Sequence, residues 1–330
     1  MKVLFIGGTG NISTRVSMLA LEMGIDLYVL NRGTREVNLK GVKTIRADIS
    51  NRAEMSTVLQ NHKWDVAVNW IAYTPADIKR DYEMFQGKTY QYIFISSASA
   101  YQKPLMNPFI TETTPLENPF WQYSRDKIAC ESLLIKYHDE IGFPFTVVRP
   151  SLTYDTVIPV PIGGWTEFTI VDRIRKGEKI IVHGDGSSLW TITHAEDFAK
   201  GFIGLVGNQL AIGEAFHITS DEILTWDQIH NSLAEAAGAE AKIVHIPSDL
   251  LAYYDHELLG SLTGDKSVSV IFDNSKIKKL VPGYRADIPF AQGIKRTLEW
   301  FEADKRRQII LKETNDMMDD MIKRFEKSYG

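Results

Sequence analysis

Cysteine is nearly absent. Cys130 is the single one in 330 residues, so no internal disulfide can form and a cytoplasmic setting is expected. Long apolar runs are missing too. None approaches the roughly 18 residues of a membrane span. Positive charge is not in excess: 37 Lys and Arg face 42 Asp and Glu, a formal net charge of −5. That argues against a general nucleic-acid or anionic-membrane surface, while leaving room for a local basic groove. Internal repeats and low-complexity segments are not found. The chain enters a strand and a glycine turn at once, so no signal peptide is expected. What remains is 44% hydrophobic and 24% charged, ordinary for a globular chain of one large domain or two.

The first 32 residues organise the rest. Lys2-Val3-Leu4-Phe5-Ile6 is a short apolar, β-prone run. Gly7-Gly8-Thr9-Gly10-Asn11-Ile12-Ser13 is a turn. Thr14 to Met23 has helical spacing, Gly24 stops it, and Leu27-Tyr28-Val29-Leu30 is a second strand. This βαβ context makes a glycine fingerprint credible. Glycines allow positive φ and place no Cβ between backbone and ligand. The following helix aims its free N–H groups and positive dipole end at the turn, so a pyrophosphate fits there. Ser13 takes the place of the last glycine and is small enough to keep helix and strand close.

After the second strand an acidic residue would bind the adenosine ribose hydroxyls, whereas an arginine can hold a 2′-phosphate. Here Asn31 and Arg32 occupy the place, with Arg35 close behind, which favours NADP, NAD being the alternative. Arg32 as a solvated loop charge is the plain reading. Val42 to Ala47 is a third strand. Asp48, at its end, either contacts adenine or caps the helix that begins near Ser50. Asp65 to Asn69 is a fourth strand leading into Trp70-Ile71-Ala72-Tyr73, whose small residues would let a cofactor ring lie against the chain. Gln91 to Ile95 is a fifth, followed by the serine-rich end Ser96-Ser97-Ala98-Ser99-Ala100-Tyr101. A proline-rich loop then leads to a helix running to about Tyr137.

Tyr123 and Lys127 are four apart on that helix and share a face. A free tyrosine titrates near ~10, and an ammonium alongside favours the phenolate. The pair is thus expected to donate and accept a proton at working pH. Order in the chain gives this weight. The pair follows a nucleotide fingerprint and then a serine-bearing fifth strand end.

The sequence resembles the extended branch of the short-chain dehydrogenase/reductase superfamily, which includes the NAD-dependent epimerases and dehydratases. The matching residues are Gly7 to Ile12, Asp48-Ile49, Ser97, Tyr123 with Lys127 and Glu131, Arg149-Pro150, Gly184-Asp185-Gly186 and His194-Ala195-Glu196-Asp197. The resemblance implies a Rossmann-type doubly wound parallel sheet with a smaller C-terminal substrate lobe. It implies Tyr123 as catalytic acid/base, Lys127 on the nicotinamide ribose, and Ser97 on the substrate oxygen. The cofactor is expected against Gly7, Gly8, Thr9, Gly10, Asn11, Ile12, Asn31, Arg32, Asp48, Ile49, Ile71, Ala72, Tyr123, Lys127 and Pro150. The substrate is expected against Tyr73, Ser97, Ser99, Trp165 and Trp190.

Two departures matter. Where many nucleotide-sugar members carry an arginine after the Gly-Asp-Gly turn, this chain has Trp190. The segment after Arg149 lacks the usual asparagine. Both remove polar groups that a nucleotide diphosphate needs. Trp70, Tyr73, Trp121, Tyr154, Trp165 and Trp190 fall in segments that should border the cleft, where aromatic faces suit a sugar ring; the plain reading is that most of them are core. His194 reads as a packed histidine, Glu196 and Asp197 as helix-capping acids, and Cys130 as a buried apolar residue. Met317, Met318, Met321, Ile322 and Phe325 recur at helical spacing, a face that packs on the body or on a partner subunit, which allows a homodimer. The expected organisation is a dinucleotide-binding unit over 1–155, with strands returning at about 179–220. A substrate lobe takes 156–178 and 221–300, and a helical tail 301–330. The expected activity is an NAD(P)-dependent oxidoreductase or epimerase acting on a secondary alcohol or ketone of a carbohydrate-like substrate. The alternatives are a nucleotide-sugar epimerase or dehydratase, and a non-enzymatic relative that senses NADP or binds RNA.

Overall fold

The computed structural model describes residues 1–33 and 39–329. Arg35 lies outside the described residues. Along the chain, the central sheet and its covering helices are β1 (Lys2–Ile6), α1 (Ser13–Glu22), β2 (Asp26–Asn31), β3 (Lys43–Arg46), α2 (Arg52–Leu59), β4 (Trp64–Asn69), α3 (Pro75–Phe85), β5 (Thr89–Ile95), α4 (Gln122–Ile141), β6 (Phe145–Pro150), α5 (Ala195–Ile203) and β7 (Ala215–Ile218). The strands lie in the order β7-β6-β5-β4-β1-β2-β3, every neighbour parallel. A parallel sheet must be covered on both faces, so its strands are apolar without break. Val3 and Phe5 point to one face, with Val16 and Ala20 of α1 and Phe198 and Phe202 of α5. Leu4 and Ile6 point to the other, with Ile78 of α3 and Cys130 and Leu134 of α4. Strand order reverses at β1, which opens a crevice beyond the carboxyl ends of β1 and β4.

A third core fills the C-terminal lobe, between helices Thr169–Lys176, Trp226–Ala237 and Phe290–Glu302. Met318, Met321 and Ile322 of the last helix, Lys312–Tyr329, pack on Ile162, Ile181 and Ile246, so the methionine stripe covers the body of its own chain.

A short strand, Leu152–Tyr154, pairs in parallel with Ile192–His194. The proline-rich loop is tied down where Phe109–Ile110 pairs with Ile271–Phe272. A helix over Ser248–Tyr254 stops where Asp255 turns its carboxylate to accept from the Glu257 N–H at 3.0 Å. Beyond it the chain makes a π-helical turn, Leu262–Lys266, a form that proteins use sparingly and often at sites.

Candidate active site

Gly7 and Gly8 both take positive φ, +94° and +88°. At Gly7 a Cβ would press on Ile71 and Trp70, and at Gly8 on Phe5 and Val29, so the first lets the β4 end approach the turn and the second lets the turn sit on the sheet. Ser13 does more than replace a glycine: its hydroxyl accepts from the Gly10 N–H at 2.9 Å. The Asn11 and Ile12 N–H groups, just before α1, have no acceptor among the described residues. They are the groups an anion at a helix N-terminus would take. The Asn11 side chain is otherwise engaged. It donates to the Thr153 carbonyl at 2.9 Å and accepts from the Asp155 and Thr156 amides. Arg15 forks onto the Asp155 carboxylate beside it. The glycine turn is thereby latched to the segment that follows β6. Ile12 packs against the core instead of opening a free face.

A groove of about 380 Å³ runs from this turn, lined by Gly7, Thr9, Asn31, Arg32, Asp48, Ile49 and Ile71 among others. Asp48 does not cap α2, since Asn51 does; its carboxylate accepts from the amide and hydroxyl of Ser50 and is held below its usual range chiefly by that hydroxyl. Asn31 accepts from the Gly33 amide at 2.9 Å, and Arg32 is exposed. The groove and the two open amides suit a dinucleotide.

The β4 end is shaped from behind. Tyr92 donates to the buried Asp81 carboxylate, Asp81 accepts from Asn69, and Asn69 accepts from the Ile71 amide. That turn presents the Ala72 carbonyl to Lys127. The buried Lys127 ammonium donates to Ala72 O at 2.6 Å and to Ile95 O at 2.8 Å, bridging the carboxyl ends of β4 and β5. It lies over the rings of Tyr73, Phe94 and Tyr123.

Across this bridge is a cavity of about 280 Å³. Ser97, Ser99, Tyr123, Pro150, Trp165 and Trp190 line it, with Trp121, Lys103, Asp265 and Lys266. The serines form a relay. Ser124 donates to the Ser99 hydroxyl at 2.8 Å, and the Ser99 and Ser97 hydroxyls are 2.9 Å apart. Ser99 thus sets the position of Ser97. Its own carbonyl accepts from Asn118, whose amide also donates to the Gly264 carbonyl in the π-helical turn. Trp165 sits in the cavity wall at φ 62°, a region costly for an aromatic residue, and is held there by paired backbone bonds with Ile158.

The expected lowering of the Tyr123 pKa is not what this environment produces. Burial pushes the phenol up, to about 12, with a hydrogen bond from Ser97 pulling the other way. Burial also brings Lys127 down, to about 8. Both groups are taken out of water, and desolvation favours the neutral form of each.

The aromatic residues divide. Trp121, Trp165 and Trp190 line the cavity. Trp70 and Tyr154 do not: Trp70 packs between Phe5 and Phe202, and Tyr154 is fully buried against His194 and Phe290. Tyr73 lies outside the cavity, half-exposed, with its ring 6.4 Å from that of Tyr123. His194 is buried; its ring accepts from the Glu196 amide and caps α5. Glu196 and Asp197 lie in the first turn of α5. Sequence reasoning missed Lys103, Asn118, Asp265 and Lys266. Asn118 carried a readable signal, since its side chain accepts from the Phe120 and Trp121 amides just before α4. The others carried none, because Lys103 and Asp265 meet only through the fold.

The model of the NAD dependent epimerase/dehydratase family matches residues 3–218. The chain belongs to that family. Among its relatives, the chloroplast stem-loop binding protein of 41 kDa b of Arabidopsis thaliana is 25% identical over 259 residues, 74% of this chain and 65% of that protein's length. The human dTDP-D-glucose 4,6-dehydratase is 21% identical over 335 residues, 91% of this chain and 89% of the dehydratase. Among solved structures, UDP-glucose 4-epimerase from Bifidobacterium longum in complex with NAD+ and UDP superposes with a TM-score of 0.74 at 18% identity. It covers 93% of this chain and all (100%) of that one. The family is described as NAD dependent, and similar solved structures, such as that of the Bifidobacterium longum epimerase, hold NAD+. No helix among the described residues is long and apolar enough to cross a membrane.

Proposed function

We propose that the chain is an NAD(P)-dependent oxidoreductase or epimerase that acts on a secondary alcohol or ketone of a carbohydrate-like substrate. One observation carries this reading: Ser97 and Tyr123 face a single aromatic-walled cavity, at the strand ends that Lys127 bridges. Residues 1–155 would hold the dinucleotide, with the later strands completing the sheet, and 156–178 with 221–300 would close over the substrate. Asn11 and Ile12 amides would take the pyrophosphate, Asp48 and Ile49 would border the adenine, and Arg32 supports NADP, with NAD the alternative. When bound, the nicotinamide supplies a hydride acceptor or donor. Ser97 holds the substrate oxygen by hydrogen bond, and the Tyr123 hydroxyl gives or takes the proton at that oxygen. Lys127 fixes the ribose side of the site. A net redox enzyme releases its dinucleotide each turnover, whereas an epimerase keeps and resets it.

The cavity is small. At about 280 Å³ it lies under the roughly 300–1,000 Å³ of drug-sized pockets, which suits one sugar ring. Trp190, 2% exposed, supplies an apolar wall in place of the arginine expected there, which leaves Lys103 and Lys266 as the cations of the lining. Both points favour a sugar without a nucleotide handle over a nucleotide sugar. A second reading, an RNA-binding member, draws on the likeness to the chloroplast stem-loop binding protein. The retained Tyr123 and Lys127 and the net charge of −5 weigh against it. The deciding experiment follows nicotinamide absorbance against a sugar panel for native and Tyr123→Phe protein, with RNA binding measured in parallel. Turnover that depends on Tyr123 supports the enzyme. An inert panel with tight RNA binding overturns it.

A further inference from the structure

Lys103 follows the serine-rich strand end and lines the same cavity, yet the proposed chemistry gives it no task. It is 3% exposed. Its ammonium makes one hydrogen bond, to the Asp265 backbone carbonyl at 3.2 Å, and forms no ion pair with any described residue. The nearest wall carboxylate is Asp265's own, and Lys266 holds it at 2.9 Å. The cavity lining thus carries two lysines against one aspartate. Trp190 closes the space beside Lys103, its ring centre 6.0 Å from the ammonium. An ammonium has three protons to donate. A buried one with a single neutral acceptor is strongly disfavoured unless something completes its shell. A neutral sugar hydroxyl can accept from it, but only an anion also balances the charge. Burial already holds the Lys103 pKa below the ordinary value.

We propose that Lys103 is a specificity residue that binds an anionic substituent, a carboxylate or a phosphate monoester, on the sugar that Ser97 and Tyr123 engage. The inference rests on the reading of this cavity as the substrate site. It narrows the substrate class to acidic or phosphorylated sugars. Lys266 does not serve equally, because Asp265 neutralises it.

Calorimetric titration of the dinucleotide-saturated protein with glucuronate, glucose 1-phosphate and glucose tests this independently of turnover. The native protein is expected to bind at least one of the two anions about tenfold more tightly than glucose, as a charge-assisted bond should give. The anion with the larger preference identifies carboxylate or phosphate. Lys103→Gln keeps a donor for the Asp265 carbonyl and removes the charge. It should bring the ratio close to one, and Lys103→Arg should keep it. Lys103→Met serves if the Gln variant fails to fold. Equal binding of all three probes by native protein overturns the inference. So does an anion preference that survives in Lys103→Gln, even if that variant melts earlier, since the lysine is then only a tether. Loss of turnover on every sugar with the anion preference intact overturns the enzymatic reading and leaves the anion site standing.

Discussion

The Lys127 ammonium hangs on two strand-end carbonyls, Ala72 O and Ile95 O, with its nitrogen 5.6 Å from the centre of the Tyr123 ring. Its place is fixed by the backbone and not by the phenol. Dinucleotide-free protein labelled at the tyrosine ring carbon, with Tyr123 identified by its loss in Tyr123→Phe, should show Tyr123 titrating well above the ordinary value, to about 12. A value below the ordinary one would mean that the ammonium outweighs burial. Tyr123→Phe should lower kcat by about 10²–10⁴-fold, the range for a lost general acid/base.

Lys127 sets a second pH dependence. Its folded pKa is depressed from 10.5 to about 8. Between those values the unfolded chain binds more protons than the folded one, so stability rises with pH and is lost as pH falls through the folded value. Urea midpoints of native protein and Lys127→Met should therefore diverge in the native protein's favour from about pH 8 to about pH 10. A constant gap would show that Lys127 titrates normally.

Arg32 lines the groove and stands exposed. Arg32→Ala should weaken NADPH about tenfold or more and leave NADH nearly unchanged, as expected for one charge-assisted phosphate contact. Fluorescence titration with both reads this directly. Equal loss on both would assign NAD.

Glu131 and Arg149 form a buried fork, with Nη2 to Oε2 at 2.6 Å and Nε to Oε1 at 3.0 Å. Ser96 also donates to Glu131, and Arg149 reaches the Tyr101 hydroxyl at 3.2 Å. Glu131→Gln leaves the guanidinium buried without its counter-charge and should cost about 3–5 kcal/mol in urea unfolding. Glu131→Gln with Arg149→Met should recover much of that.

Gly293 lies in the helix Phe290–Glu302, where alanine would normally be the better residue by about 1 kcal/mol. Here the new Cβ runs into the Tyr154 hydroxyl. Overpacking of a buried ring costs about 1–3 kcal/mol, so the second effect wins and Gly293→Ala should lower the melting temperature.

Much of the sheet was legible because its signals are local. Apolar runs and Gly24 each mark a boundary within a few residues. The glycine turn and the Tyr123–Lys127 spacing were legible for the same reason. What was not legible depends on contacts between distant segments. The spacing said that Lys127 neighbours Tyr123, but not that Ala72 and Ile95 would claim its protons. Trp70 and Tyr154 look like cleft aromatics in one dimension and become core once α5 and the helix Phe290–Glu302 cover them. Lys103 gains its meaning only where a turn 162 residues later closes over it.

Asn118 grips both shores of the cavity: one amide reaches the Ser99 carbonyl at 2.8 Å and the Gly264 carbonyl at 2.7 Å. Were the roof over Trp121 to swing outward, that amide would have to let go of one carbonyl. The turn at Gly264 and the alignment of the serine relay are therefore mechanically joined through one side chain.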